Sequence, residues 1–158
     1  MIILLKRFCV VLALLGAGVF ILGHTVRAAD TQDADAAAAI KALDEYMAAF
    51  NSRDEKAWAA TLNYPHVRMA GGAVKVWQTP EEYCADFDFD DFAKRFNWDH
   101  STWDKREIVQ QGPGKVHVCV TFSRYNAKGE KLETYDSLYI VTKQNDHWGT
   151  LARSSYAP

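Results

Sequence analysis

Asp136 is the side chain in this sequence best placed to do chemistry. It lies in KLETYDSLYIVTK, whose alternation predicts a strand. Thr134, Asp136, Leu138 and Ile140 then share one face, and Tyr135, Ser137, Tyr139 and Val141 the other. If Leu138 and Ile140 turn into a core, Asp136 turns with them. A carboxyl group among apolar side chains stays protonated above its usual range or takes a cation as partner. Arg153, in the closing segment HWGTLARSSY, is one such cation. In a strand meander it would meet Asp136, as its ion-pair partner or as a clamp for a bound anion. Tyr46 stands at the edge of an apolar helical stripe, where its hydroxyl is either tied down in a core or offered to a pocket. His66 titrates near neutral pH and is the available base.

Other chemistries find little support. The histidines stand apart, and no spacing resembles a zinc or calcium site. Asp86, Asp88, Asp90 and Asp91 lack the glycine and terminal glutamate of a calcium-binding loop and read as a solvated face. Neither a nucleophile elbow around a serine nor a Cys–His pairing of known spacing is present. No metal and no cofactor is expected.

The elements that would position these groups follow from periodicity and punctuation. Ile40, Leu43, Met47 and Phe50 form a helical stripe. Asn51-Ser52-Arg53 breaks it, and Asp54 caps a short second helix carrying Trp58 and Leu62. Two short strands, 66–69 and 74–77, are joined through Gly71-Gly72. Thr79-Pro80-Glu81-Glu82 is a full capping box with proline at the first helical position. A further helical piece within 87–103 carries Phe89, Phe92, Phe96 and Trp98. Four strands complete the chain. In the second of them Val116, Val118, Val120 and Phe122 alternate with His117, Cys119, Thr121 and Ser123.

The chain has 158 residues, enough for one domain, and an aromatic content of 13 %, enough for a core without metal or disulfide staples. Residues 1–28 read as a signal peptide: Lys6-Arg7, an apolar run over 8–22, then Val26-Arg27-Ala28 before the cleavage point. The run is short for a membrane span, so contact with a membrane is expected only through this segment if it stays uncleaved. Residues 29–37 read as a flexible lead-in and 38–158 as the domain. Removing the leader takes away Lys6, Arg7 and Arg27, leaving 15 basic against 20 acidic residues, a net charge of −5. With no basic stripe, nucleic acid is not an expected partner. Cys84 and Cys119 remain. An exported protein can pair them, and each also suits a small core position.

The order helix, helix, hairpin, helix, four-strand meander resembles the nuclear transport factor two-like superfamily, which includes SnoaL-like proteins, ketosteroid isomerase and scytalone dehydratase. The likeness rests on the stretch EYMAAFNSRDEKAW and the ending WGTLARSSYAP, and it covers residues 36–155. It implies an α+β cone, a curved, mostly antiparallel sheet wrapped round about three helices with a pocket at the wide end. It implies no one activity, since this fold hosts many. Against ketosteroid isomerase, Tyr46 falls at the oxyanion tyrosine, Asp136 at the protonated aspartic acid and Ala70 at the base. An alanine cannot move a proton, so His66 would have to be the base. The same likeness turns His66 and Arg68 into the pocket, whereas burial of Val67 and Met69 would turn them out. Both orientations stay open at this point.

The resulting expectation is a periplasmic or secreted domain that binds a small apolar or amphipathic molecule. Val118, Val120, Phe122 and Leu138 would line the pocket, with Tyr46, His66, Arg68, Asp136 and Arg153 supplying its polar groups. One alternative is an isomerase or dehydratase using His66, Tyr46 and Asp136. Another is a protein-interaction domain with a filled cone. The sheet face bearing His117, Cys119, Thr121, Tyr135 and Tyr139 is expected to pair two copies into a homodimer, as superfamily members often do.

Overall fold

In the computed structural model, which describes the backbone from residue 18 and side chains from residue 30, the helical stripe becomes α1 (Gly18–Ser52). The leader expected over 1–28 lies outside the residues whose side chains are described. The buried face of α1 carries Ala39, Ala42, Leu43, Tyr46, Met47 and Phe50, so Tyr46 sits within the stripe rather than at its edge. Residues 29–37, expected as a flexible lead-in, belong to this helix. The Asp35 carboxylate accepts from the Gly114 amide at 2.8 Å, which ties the helix to the far end of the sheet.

The helix ends where Arg53 takes a left-handed φ of 59°. Asn51 secures that end. Its Nδ2 donates to the Ser101 carbonyl and its Oδ1 accepts from the Ser101 amide, both at 2.9 Å. Asp54 then caps α2 (Glu55–Ala59), accepting from the Ala57 amide at 2.9 Å.

The strands β1 (Leu62–Ala70) and β2 (Ala73–Trp77) form the expected hairpin. Gly71 and Gly72 both have positive φ, 58° and 77°, which the two-residue turn requires. The capping box opens α3 (Pro80–Ala85): Thr79 Oγ1 accepts from the Glu82 amide, and Glu82 reaches back to accept from the Gln78 amide. Asp88 caps α4 (Phe89–Phe96), which closes on Asn97 in a left-handed conformation. The meander follows as β3 (His100–Gly112), β4 (Lys115–Tyr125), β5 (Lys131–Gln144) and β6 (His147–Ser155).

All six strands join one curved, unclosed sheet in the order β2-β1-β6-β5-β4-β3. Every pair is antiparallel except β1 with β6. Helix α1 packs against β3, β4, β5 and β6. This is the expected α+β cone. Gly149 allows β6 to pass close to β1, since a Cβ there would stand 2.9 Å from the Thr61 carbonyl oxygen.

One strand turns the other way from expectation. On β4, Val116, Val118, Val120 and Phe122 face the core as predicted. On β5 the buried face is Ser137, Tyr139 and Val141, with Tyr135 half-buried, whereas Asp136 is exposed. The register fixes this: Val118 pairs with Tyr139 and Val120 with Ser137, and directly paired residues share a face. The alternation within β5 alone does not set the phase, because both of its faces carry apolar residues. A register shift at Arg124/Tyr125 separates the phase of β5 from that of β4, and one extra residue turns every later side chain over.

Cys84 and Cys119 are both free thiols. They sit on α3 and on the outer face of β4, so the structure does not pair them.

Candidate functional site

A cavity of about 530 Å³ opens at the wide end of the cone. That is within the range of small-molecule sites. Its walls are aromatic: Tyr46, Phe50 and Trp58 from the first two helices, Phe92 and Phe96 from α4, and Trp103, Phe122 and Tyr139 from the sheet. The aromatics of α4 therefore form one wall and leave the cone open. Phe50 is the hub of that wall, 4.9 Å from both the Trp58 and Trp98 rings and 5.7 Å from Phe92.

Three arginines of the sheet face this aromatic interior. Arg68 on β1 and Arg153 on β6 are direct register partners, and Arg153 in turn pairs with Tyr139 on β5. Arg124 comes from β4, continuing the inward face of Val116, Val118, Val120 and Phe122. The Arg153 guanidinium donates to Tyr46 Oη at 2.6 Å and to Tyr83 Oη at 3.4 Å, while its Nε has no partner among the described residues. Burial pushes both tyrosine hydroxyls upward from their ordinary pKa, against the pull of Arg153. They therefore stay neutral and do not cancel the arginine's charge. Arg68 donates to the Ala157 carbonyl at 3.1 Å. Arg124 is 5 % exposed and lies 4.8 Å from the Tyr135 ring centroid and 4.9 Å from that of Phe92.

The lining aspartates Asp86, Asp88 and Asp91 are exposed at the rim, where each is already engaged. Asp86 accepts from Lys75 Nζ at 2.8 Å and from Trp77 Nε1 at 3.2 Å. Asp91 pairs with Arg95, and Asp88 caps α4.

The structure distributes the residues singled out in the sequence unevenly. Tyr46, Arg68, Phe122 and Arg153 line the cavity. Val118 and Val120 are buried beneath its wall without lining it. Leu138 lies on the outer face, opposite to expectation, because β5 has the reverse phase. So does Asp136, whose carboxylate accepts from Thr121 Oγ1 at 2.7 Å at an exposed site and does not meet Arg153. His66 turns inward with Arg68, as the isomerase likeness implied, but into the core beside Trp77 and Tyr83 rather than into the cavity. It is fully buried, and its Nδ1 lies 2.9 Å from the Thr150 carbonyl, which assigns the proton to Nδ1. Burial, reinforced by Arg153, pulls its pKa down to about 3. The three residues of the isomerase-type arrangement therefore do not converge on one space.

Arg124 was not singled out from the sequence. The signal was available: it falls two residues after Phe122 on an unbroken period-two face. Among the described residues, no group of three His, Cys, Asp or Glu side chains stands close enough to hold a metal ion.

The family model described as NTF2-like protein (DUF6841) matches residues 35–157. The chain belongs to this family. Solved structures agree on the fold. An NTF2-like protein with a cystatin-like fold from Novosphingobium aromaticivorans superposes with a TM-score of 0.64 at 10 % identity, over 89 % of this chain and 90 % of that one. A ketosteroid isomerase-like protein from Erwinia carotovora atroseptica gives 0.55 at 22 % identity, over 76 % and 93 %. A Catenulispora acidiphila structure in complex with S-DNPA gives 0.63 at 14 % identity, over 79 % and 94 %. No curated protein is significantly similar to the chain. The NTF2-like match leaves out the first 34 residues, where the leader was read.

Proposed function

We propose that this NTF2-like domain is an exported binding module for a small apolar or amphipathic molecule, held in the cone. The observation that carries the reading is the open cavity of about 530 Å³ between Phe50, Trp58, Phe122 and Tyr139. A filled cone would leave no such space. An isomerase or dehydratase built on His66, Tyr46 and Asp136 has no common site, since only Tyr46 of the three reaches the cavity. The solved relative bound to S-DNPA is in keeping with a fold that takes small ligands.

The neutral fluorescent probe N-phenyl-1-naphthylamine tests the reading directly. Trp58, Trp77 and Trp103 line the cavity, so a bound probe accepts excitation energy from them. Saturable binding of one probe per chain, with loss of tryptophan emission, is the expected result. Folded protein that shows no saturable binding would refute the pocket as a ligand site.

The outer sheet face supports the proposal of a homodimer, though through a different set of side chains from the one expected. Val76, Val67, Ala152 and Ile140 form one continuous register row, and Val74, Met69, Ser154 and Leu138 the next. Val74 is 66 % exposed and Val76 50 %, an apolar patch that a second copy would cover. Native mass spectrometry of protein recovered from the periplasmic or culture fraction checks export and pairing together. A dimer of chains beginning at Ala29 is expected. Monomers, or chains retaining the first 28 residues, would each remove the corresponding part of the proposal.

A further inference from the structure

The cavity holds more positive charge than its own residues neutralise. Arg68, Arg124 and Arg153 are all at least partly buried, and none makes an ion pair among the described residues. Guanidinium groups do not lose their charge in proteins. Two of these arginines, Arg68 and Arg153, stand directly opposite each other on adjacent strands, an arrangement that costs stability through like-charge repulsion. Lys75 extends the row on β2, but Asp86 partners it at the rim. Glu133 is opposite Arg124 in register, yet it is exposed and forms no ion pair with it.

Hydrogen-bond donors are also left over. Arg124 Nε and Nη1 and Arg153 Nε are buried without a partner among the described residues. The rings of Phe92, Phe96 and Tyr135 around Arg124 supply cation–π attraction but accept no conventional hydrogen bond. Burial lowers the pKa of Arg68 and Arg124, with repulsion from Arg153 adding to it. A buried charge without a counter-charge is expensive, and such groups are kept where a ligand completes them.

We infer that the ligand is an amphipathic oxyanion. Its carboxylate or similar planar anionic head is received by Arg68, Arg124 and Arg153, and its apolar body lies against Phe50, Trp58 and Phe122. The inference rests on the cone being a ligand pocket and adds the class of ligand. The fork of a guanidinium matches a two-oxygen head, and Tyr83, which accepts from Arg153, can turn its own O–H toward that head.

Naphthalene-1-acetate and naphthalene-1-acetamide, equal in shape and different in charge, test this by titration calorimetry. The acetate should bind about 30-fold more tightly than the amide, the size of one or two charge-assisted hydrogen bonds. Arg124→Met and Arg68→Met should each reduce that preference about 10-fold. Removing an uncompensated charge should also leave the melting temperature level or raise it by about 2–4 °C. A measurement on the unaltered protein stands beside the variants. Raising sodium chloride from about 0.05 M to about 0.5 M should weaken acetate binding several-fold and leave the amide unaffected. Equal affinities for acetate and amide would overturn the anion assignment alone. Variants that melt well below wild type with the preference intact would show the arginines to be structural and overturn it as well. Binding of neither compound would overturn the ligand pocket itself.

Discussion

Replacing Trp58 by alanine should lower the melting temperature by about 10–20 °C and abolish binding of N-phenyl-1-naphthylamine. Trp58 comes from a helix of five residues, yet it is 1 % exposed. Its ring lies 4.9 Å from Phe50, 4.9 Å from Tyr83, 4.8 Å from Phe87 and 5.7 Å from Tyr46. It therefore joins four elements: α1, α2, α3 and the segment before α4. The Arg153 guanidinium also lies 5.6 Å from its centroid. Truncation of a buried tryptophan costs about 3–5 kcal/mol, from lost transfer energy and the void left behind. Trp58→Phe keeps one ring in place and should cost less than half as much. Chemical denaturation measures both. An alanine variant within about 1 kcal/mol of wild type would show that the aromatic wall is not held by this residue.

Acidification should destabilise the protein through His66. The group has a pKa of about 3 when folded, against 6.5 for an unperturbed histidine. The unfolded chain thus binds a proton below pH 6.5 that the folded chain refuses until about pH 3. Stability from this group is fully present above pH 6.5 and is lost as pH falls through that window. The limiting slope for one proton is about 1.4 kcal/mol per pH unit. Carboxylates titrate over part of the same range, so the useful quantity is a difference. Urea unfolding of wild type and His66→Asn at pH 7, 6, 5 and about 4 should give curves that converge on acidification, because asparagine can donate to Thr150 and carries no titrating nitrogen. Parallel curves would mean that His66 is protonated in the folded protein or opens to solvent at little cost.

The same histidine shows how far a family likeness carries. Likeness to an isomerase turned His66 inward, against the apolar pattern of Val67 and Met69, and inward is where it lies. It did not follow that His66 enters the cavity. Tyr83 and Trp77 stand between side chains that share a strand face and side chains that share a space. The position of Tyr83 depends on α3 folding back over β1 and β2, a contact that no local pattern encodes.

Local chemistry determined most of the fold. The break at 51–53, the Asp54 cap, the paired glycines at 71–72, the Thr79 capping box and the alternation on β4 each act within a few residues, so each is readable in the sequence. Arg153 and Arg68 could likewise be nominated from their strands. The phase of β5 was decided only by tertiary structure, because a register shift at the end of β4 inverted it and carried Asp136 to the surface. The gathering of three arginines around one cavity was decided the same way. Arg68, Arg124 and Arg153 lie 56 and 29 positions apart in the chain, and they line one cavity because strand order places β1 beside β6 in a curved sheet that also holds β4. A sequence displays its charges singly. Whether they are solvated, paired or left facing one another depends on which strands become neighbours.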